Sequence, residues 1–337
     1  MIQETIKLGP IDLALPGAMQ LTLGMRGDRI ETVETTFGYL SRSIENTCVG
    51  NPIAHAQLKF SRIEPENSMI LDRLFSEAVE QITKTPVSDR ARWIRDITTE
   101  ISELNGFLRY LSKMSHRFGI DVLTHIILKH REPLLDLVEL LTGSRYGYYY
   151  IMPGGVRYDL TEGFQERLEK WIKIFSSDYQ RIQEMFLWTH SFHNRLRSLG
   201  RVADTGDFGF VSESSIETTR HGLVSNVESR LVFALERTMK ICGELRELLT
   251  ERADGTSLHP LGSARTLQTV HSEIETERGV WSLNLSLDPE LNVNEVLTNL
   301  PSDLVVGAIP HALEGEYFED VPVILESLYF SIPELDR

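Results

Sequence analysis

Apolar positions recur along the chain with two different periods. Over 69–83, MILDRLFSEAVEQIT sets Leu71, Leu74, Phe75, Ala78, Val79 and Ile82 on one stripe, which predicts an amphipathic helix. Thr85-Pro86 interrupts it, and Ser88 then offers an N-cap to a long helix reaching about His116. Trp93, Ile94, Ile97, Ile101, Leu104, Leu108 and Leu111 form the inward face of that helix. A further helix over 119–142 ends with Leu134, Leu137, Val138 and Leu141, and Gly143 follows where a left-handed C-cap is wanted. An aromatic run from Tyr146 to Tyr150 leads into Pro153-Gly154-Gly155, a turn, after which Asp159 or Thr161 is placed to cap another helix with Glu162 in its first turn. Residues 162–198 read as one or two helices and Asn226 to Glu251 as another. The period changes to two in other places. Met19, Leu21 and Leu23 alternate with polar residues before Arg26-Gly27-Asp28, and Ile30 and Val33 follow, so 18–36 predicts a β-hairpin. Residues 265–287 alternate around Glu277-Arg278-Gly279 and predict a second hairpin. The polar stretches 200–225 and 251–263 read as loops, and Asn294–Leu300 and Ser302–Leu313 as short helices.

Composition adds several exclusions. A chain of 337 residues with 41% hydrophobic content is long enough for a sizeable core, in one large domain or two. The net charge of −15 argues against a nucleic-acid surface. Two cysteines, Cys48 and Cys242, cannot make a disulfide framework, which suggests a reducing compartment. They are also too few for a four-cysteine zinc site or an all-cysteine iron–sulfur cluster bound by this chain alone. The opening MIQETIKLGP lacks the basic and apolar regions of a signal peptide, and no run of about 18 apolar residues suggests a membrane span. Peripheral attachment to a membrane partner stays open. Gly154-Gly155 is not followed by GK[ST], and no nucleophile elbow, dinucleotide GxGxxG or HExxH occurs, so hydrolase, NTPase and direct NAD-binding readings are weak. His190 and His193 stand i, i+3, a spacing that can chelate a metal, but no third ligand is recognisable. Arg195, Arg197 and Arg201 make a short basic stripe, either a solvated face or a surface for an acidic partner.

Several motifs in fixed order carry a resemblance. GPIDLALPG at 9–17, GYLSRSIE at 38–45, RIEPENS at 62–68, the stretch LTGSRYGYYYIMPGGVRYDL at 141–160 and the final DR resemble the large-subunit family shared by complex I (its D component, in NADH-quinone oxidoreductase) and the membrane-bound nickel–iron hydrogenases. The resemblance runs from Gly9 to Arg337, with one large deletion near 222–226. Arg230 matches the arginine of the family's GDVxxR helix opening, and Glu277-Arg278-Gly279 its ExxRGE hairpin, with Val280 in place of the last glutamate. It implies an α+β, mostly helical fold with small antiparallel β-sheets near the N-terminus and around 265–287. It implies one large-subunit-like domain, divided into a β region over 1–38, a helical core over 39–250 and a β/α region over 264–337.

The functional residues of the family are altered here. The loop histidines of GPQHPxxHG fall on Asp12 and Pro16; the quinone-gripping tyrosine of RxDY falls on Pro65; the histidine of the SHL step and the following aspartate fall on Phe107 and Arg117. The nickel-binding cysteines of RICGICS fall on Glu64 and Asn67, and those of the terminal motif on Ser331 and Glu334. Carboxylate, amide and hydroxyl oxygens are hard donors that do not replace the bridging thiolates of a nickel–iron centre. Quinone reduction by the family's route needs proton donors that Pro16, Pro65 and Arg117 cannot supply. The resemblance thus implies a large subunit of a membrane-attached, ion-translocating respiratory oxidoreductase complex, peripheral on the cytoplasmic side, with an altered or lost redox site and no activity alone. It would pack against an iron–sulfur small subunit holding the clusters, another peripheral-arm subunit and an integral membrane subunit, with no cofactor assigned to this chain. A non-catalytic coupling subunit and a free-standing helical interaction protein are the alternatives. Glu45, Arg62, Glu64 and Glu334 are the candidate catalytic residues. If Glu64, Asn67, Ser331 and Glu334 converge, the two carboxylates would raise one another's pKa or recruit a hard cation such as Mg²⁺; equally, the cleft could be a collapsed remnant.

Overall fold

The structure is a computed structural model and describes residues 4–187, 190–203, 218–219, 222–251, 253–263 and 266–337. Its centre is the long helix α4 (Asp89–Arg117), which starts where the Ser88 hydroxyl accepts a hydrogen bond from the Ala91 amide at 3.0 Å. Helices α3 (Ser68–Thr83), α5 (Asp121–Thr142) and α6 (Phe164–Phe186) pack around it, joined by α8 (Val227–Thr250). Between them come the short α1 (Ile44–Cys48), α2 (Ile53–Phe60) and α7 (His190–Ser198). Gly143 closes α5 in the left-handed conformation, as its place after Leu141 predicts. Helix α8 begins with a reciprocal box in which Asn226 and Ser229 bond each other's amides at 2.9 Å.

The predicted hairpins are present and each gains a third strand. Strands β1 (Glu4–Leu8), β2 (Gln20–Arg26) and β3 (Arg29–Thr36) form an antiparallel sheet in that order. Strands β9 (Gln268–Thr276) and β10 (Gly279–Leu287) are joined by the Glu277-Arg278 turn, and β11 (Val293–Asn299) pairs on the other edge of β10. That last strand corrects the helix expected over Asn294–Leu300: Val293 and Val296 are buried against the sheet, and the open edge of β10 takes up their backbone. The loop expected over 200–225 is also partly ordered, because β6 (Val202–Ala203), β7 (Thr218–Thr219) and β8 (Gly222–Ser225) pair as a small sheet. Residues 204–217 and 220–221 of that loop, Arg252 of the 251–263 connection, and Trp188 and Thr189 lie outside the described residues. The chain closes with α9 (Pro301–Val305), α10 (Ala308–Leu313), α11 (Val321–Ser327) and α12 (Ile332–Leu335).

The apolar side chains form two cores. The larger surrounds α4 and includes the N-terminal sheet and α5 to α8. The smaller lies between α1–α3 and the β9–β11 sheet, around the buried Phe60, Phe75 and Trp281. Helix α3 therefore faces both cores, and the segment leading into it, 61–67, is held at their junction.

The stretch 143–163 departs from a simple helix connection. Ile151–Met152 and Gly155–Val156 pair as a minute hairpin, β4 and β5. A Cβ on Gly155 would lie 2.0 Å from the Ser257 carbonyl oxygen, so the close passage of the 257–259 segment excludes any side chain there. The turn is pinned from below by Glu80, whose carboxylate accepts from the Gly154 amide at 2.8 Å and pairs with Arg95 at 2.5 Å. An anion has no room in such a turn. Neither Asp159 nor Thr161 caps the next helix: α6 starts after Gly163, while Asp159 is drawn to Arg90 on α4 at 2.7 Å.

Candidate functional site

A cavity of about 380 Å³ opens between the 9–17 loop, the 61–67 segment, the middle of α4 and residues 326–336. Its wall contains Glu64, Asn67 and Ser331, three of the four positions that the sequence resemblance sets against nickel-binding cysteines. The fourth, Glu334, lies just behind the wall with no exposure. The Ser331 hydroxyl donates to the Glu64 carboxylate. Glu334 accepts from Arg278 Nη1 at 2.7 Å and from the Ser302 hydroxyl at 2.6 Å. The four positions are thus brought together by a helix start (the turn before α3), a hairpin turn (Arg278) and the 329–334 segment.

The charges here are buried and interdependent. Burial pushes the Glu64 carboxyl above its usual range, and the Glu334 carboxylate adds to the rise; the Ser331 hydroxyl and Arg278 oppose it. Burial works against the Arg278 charge, but the Glu334 carboxylate, Tyr329 and Glu64 together outweigh it and the guanidinium is held more firmly protonated than usual. Arg278 also lies over the Tyr329 ring at 4.7 Å, and its Nε has no hydrogen-bond partner. Tyr329 adopts a positive φ of 55°, a strained conformation for a bulky side chain. Glu66 joins the rim, paired with Arg109 at 3.0 Å and with Arg131.

A nickel–iron centre does not fit this corner. Its four would-be ligands are hard oxygen or amide donors, and two carboxylates are committed to Arg278, Ser302 and Ser331. The guanidinium of Arg278 also supplies the positive charge that a bound cation would bring.

The remaining sequence candidates fall into different places. Pro16 lines the cavity mouth. Pro65 starts the short 3₁₀ turn at 65–67, and Phe107 is buried in α4 with its ring 5.6 Å from that of Tyr329. Arg117 bridges the end of α4 to the 9–17 loop, donating to the Leu13 carbonyl at 2.8 Å and the Leu15 carbonyl at 3.2 Å, and to Glu326 at 3.3 Å. Asp12 caps its own loop by accepting from the Ala14 amide at 2.8 Å. Glu45 stands away from the cavity, accepting from the Thr298 amide at 2.9 Å and from Arg337 at 3.3 Å. Arg62 donates to the Leu58 carbonyl and stacks over Tyr148 at 5.1 Å, whereas Arg42 reaches the cavity wall. Arg195 pairs with Asp320 at 2.7 Å and Arg197 with Glu228, so those two members of the basic stripe are used within the chain. The side chains of His190 and His193 lie outside the described residues. Sequence patterns do not single out Tyr329, Arg109, Lys113 or Glu326. The only signal for Arg278 is the turn Glu277-Arg278-Gly279, which by itself reads as a plain hairpin.

Residues 118–210 match the family model described as respiratory-chain NADH dehydrogenase, 49 Kd subunit. The mitochondrial NADH-ubiquinone oxidoreductase 49 kDa subunit of Neurospora crassa is 28% identical over 201 residues, which is 59% of this chain and 42% of that protein. NADH dehydrogenase [ubiquinone] iron-sulfur protein 2 of Arabidopsis thaliana is 29% identical over 61% of this chain and 53% of its own length. The chain thus spans about half the length of the first curated relatives it matches. The D component of the NADH-quinone oxidoreductase of Clostridium beijerinckii is 22% identical over 99% of this chain and 97% of its own. A chain from the structure of the membrane-bound sulfane sulfur reductase, an archaeal respiratory membrane complex, superimposes with a TM-score of 0.88 at 20% identity, covering 99% of this chain and 98% of that one. That likeness establishes the α+β large-subunit fold.

Proposed function

Starting from a chain that is a homologue of the 49 kDa subunit of NADH-ubiquinone oxidoreductase and of the D component of NADH-quinone oxidoreductase, we propose that it is the large subunit of a membrane-attached respiratory oxidoreductase complex whose own redox corner has been rebuilt to handle protons. In this reading it packs against an iron–sulfur small subunit, with another peripheral-arm subunit and an integral membrane subunit completing an ion-translocating assembly on the cytoplasmic side. Among the described residues no helix is long and apolar enough to cross a membrane, so attachment would run through partners. The observation that carries the reading is the meeting of Glu64, Asn67, Ser331 and Glu334 around Arg278 at a cavity. A carboxyl whose protonated form is favoured by burial, beside a fixed guanidinium, is suited to give and retake a proton, and unsuited to bind nickel. The loop that borders the cavity also points to a covering partner: Ile11 is 95% exposed and Leu13 96%, and Leu40 in the cavity wall 61%, apolar side chains that an obligate subunit would bury.

Without an imidazole at Pro16, a phenol at Pro65 or an acid at Arg117, quinone reduction by the family's usual route has no proton donors. A non-catalytic coupling role is favoured by one contact, the bridge from Glu326 in the cavity wall through Arg117 to the Leu13 and Leu15 carbonyls, which ties the cavity to the exposed loop. Purification of the native assembly in mild detergent tests the family reading. An iron–sulfur protein and a membrane protein in equal amount with this chain are expected; recovery of the chain alone as a monodisperse species would overturn it. Turnover that survives Glu64→Gln unchanged would move the assignment to the coupling role.

A further inference from the structure

Helix α4 carries a second set of acids, Glu103 buried and Asp96 and Glu100 partly buried, that leads toward the cavity. Asp96, Glu100, Glu103 and Phe107 follow one another at i, i+4, i+7 and i+11, so they lie on a single stripe of the helix. At about 1.5 Å per residue the stripe spans roughly 16 Å. Its outer end is Asp96, 42% exposed and paired with Arg73 at 2.9 Å. Its inner end meets Tyr329. The Tyr329 ring packs on Phe107, and its hydroxyl occupies the slot beside Gly106 where a Cβ would lie 2.7 Å away. Tyr329 in turn lines the cavity with Glu64.

Between those ends, neither of two carboxyls is in a salt bridge among the described residues, although Arg278 lies close enough to Glu103 to favour its charged form. Glu100 has no ion pair among the described residues, and its Oε2 is buried without a hydrogen-bond partner. Glu103, 8% exposed, accepts from the Glu277 amide at 3.0 Å. The cations nearby are used by other acids. Arg237 and Lys240 on α8 bond Glu277 at 3.0 Å and 2.7 Å, and Lys240 also reaches Glu244. Arg73 on α3 takes Glu77 and Asp96, and Arg278 takes Glu334. Burial first, and then the neighbouring carboxylates, push Glu100 up to about 8. Burial lifts Glu103 to about 7, opposed by the Glu277 amide, the Thr276 hydroxyl and Arg278 and aided by the Glu277 carboxylate.

We propose that Glu100, Glu103 and the Tyr329 hydroxyl form a proton path along α4, from the solvent edge at Asp96 to Glu64 in the cavity wall. The Glu103 carboxyl gives its proton to the Tyr329 hydroxyl oxygen as the Tyr329 proton leaves toward the Glu64 carboxylate across the cavity. Glu103 is then recharged by Glu100, and Glu100 by water at its exposed edge. No electron moves along this route, and each donor regains the proton it loses. Gly106 is a positioning residue, since any side chain there would displace the hydroxyl.

The inference rests on the proposed function only for the use made of the protons, so its test reads proton movement directly. In the native assembly transferred to deuterated water, infrared spectroscopy follows the carboxyl band assigned to Glu64 by its loss in Glu64→Gln. Glu103→Gln and Tyr329→Phe should each slow deuterium entry at Glu64 by about a hundredfold, and Glu103→Asp should restore much of it. Unchanged exchange in both variants, each with the parent's melting temperature, would overturn the path. If the assembly shows no turnover with any acceptor, the family reading loses support while the exchange rates still decide the path.

Discussion

Helix α4 buries ionisable groups at two levels, and the two are treated differently. At Arg95 the guanidinium forms a two-pronged pair with Glu80 on α3, at 2.5 and 3.1 Å, and also donates to the Met152 and Gly155 carbonyls. The second carboxylate duty of Glu80 is the Gly154 amide, so the Arg95–Glu80 pair fixes the glycine hairpin to the core. One to two turns further along, Glu103 is buried and Glu100 partly so. There the basic side chains of α3, α8 and the β9–β10 turn are bonded to other acids, and among the described residues no cation pairs with Glu100. Burying an ion with its partner is a way to hold two segments in register; burying an acid without one leaves it neutral and able to exchange a proton near neutral pH. The same helix thus has a structural level and a proton-handling level, and only the second leads to the cavity.

The largest effect should come from breaking the paired level. Glu80→Ala leaves the Arg95 charge buried with carbonyls alone and frees the Gly154 amide, which should cost about 3–5 kcal/mol in denaturant unfolding. A loss below about 1 kcal/mol would mean that the pair is not what holds the hairpin. Next comes the joint between the levels and the cavity. Gly106→Ala puts a methyl group where the Tyr329 hydroxyl lies, and displacing that strained side chain should cost about 1–3 kcal/mol and slow proton exchange at Glu64. Retention of parental exchange in a folded Gly106→Ala protein would separate Tyr329 from the path.

The smallest effect distinguishes the levels by pH. The folded chain holds a proton on Glu103 that the unfolded chain releases above its ordinary value of 4.5, whereas the folded value is about 7. The stability this contributes is complete below the unfolded value and is lost as pH rises through the folded one. Glu103→Gln cannot ionise, so its melting temperature should fall less than the parent's between about pH 5 and pH 8. A melting profile parallel to the parent's across that range would show Glu103 to be charged throughout and the two levels to be alike.

Much of the scaffold was legible from local patterns. Ser88 marks the start of α4, Gly143 the end of α5, and the alternation over 18–36 and 265–287 marks two hairpins, because caps, turns and two-residue periods act over a few residues. Strand β11 was not legible: VNEVLTN has no clean period, and it becomes a strand only because β10 presents an open edge to it. Asp159 looked like a helix cap for the same reason, since its real partner, Arg90, is 69 residues away. The site divides in the same way. The family register singled out Glu64, Asn67, Ser331 and Glu334, and the fold gathers them. The motif match marked Arg278 only as part of a hairpin turn, and nothing marked Tyr329, because they matter only once that turn and the 329–334 segment meet across the cavity. Glu100 and Glu103 carry no local signal either, because their burial depends on what covers α4, such as the β9–β10 turn at Glu103.

Arg278 and its carboxylates occupy the corner where the resemblance to hydrogenases would place a metal. Elemental analysis of the purified native assembly, coupled to melting before and after exhaustive chelation, tests this most directly. No stoichiometric nickel is expected, and no change in the melting of this chain on chelation. One nickel per chain, lost together with stability when the metal is removed, would contradict this.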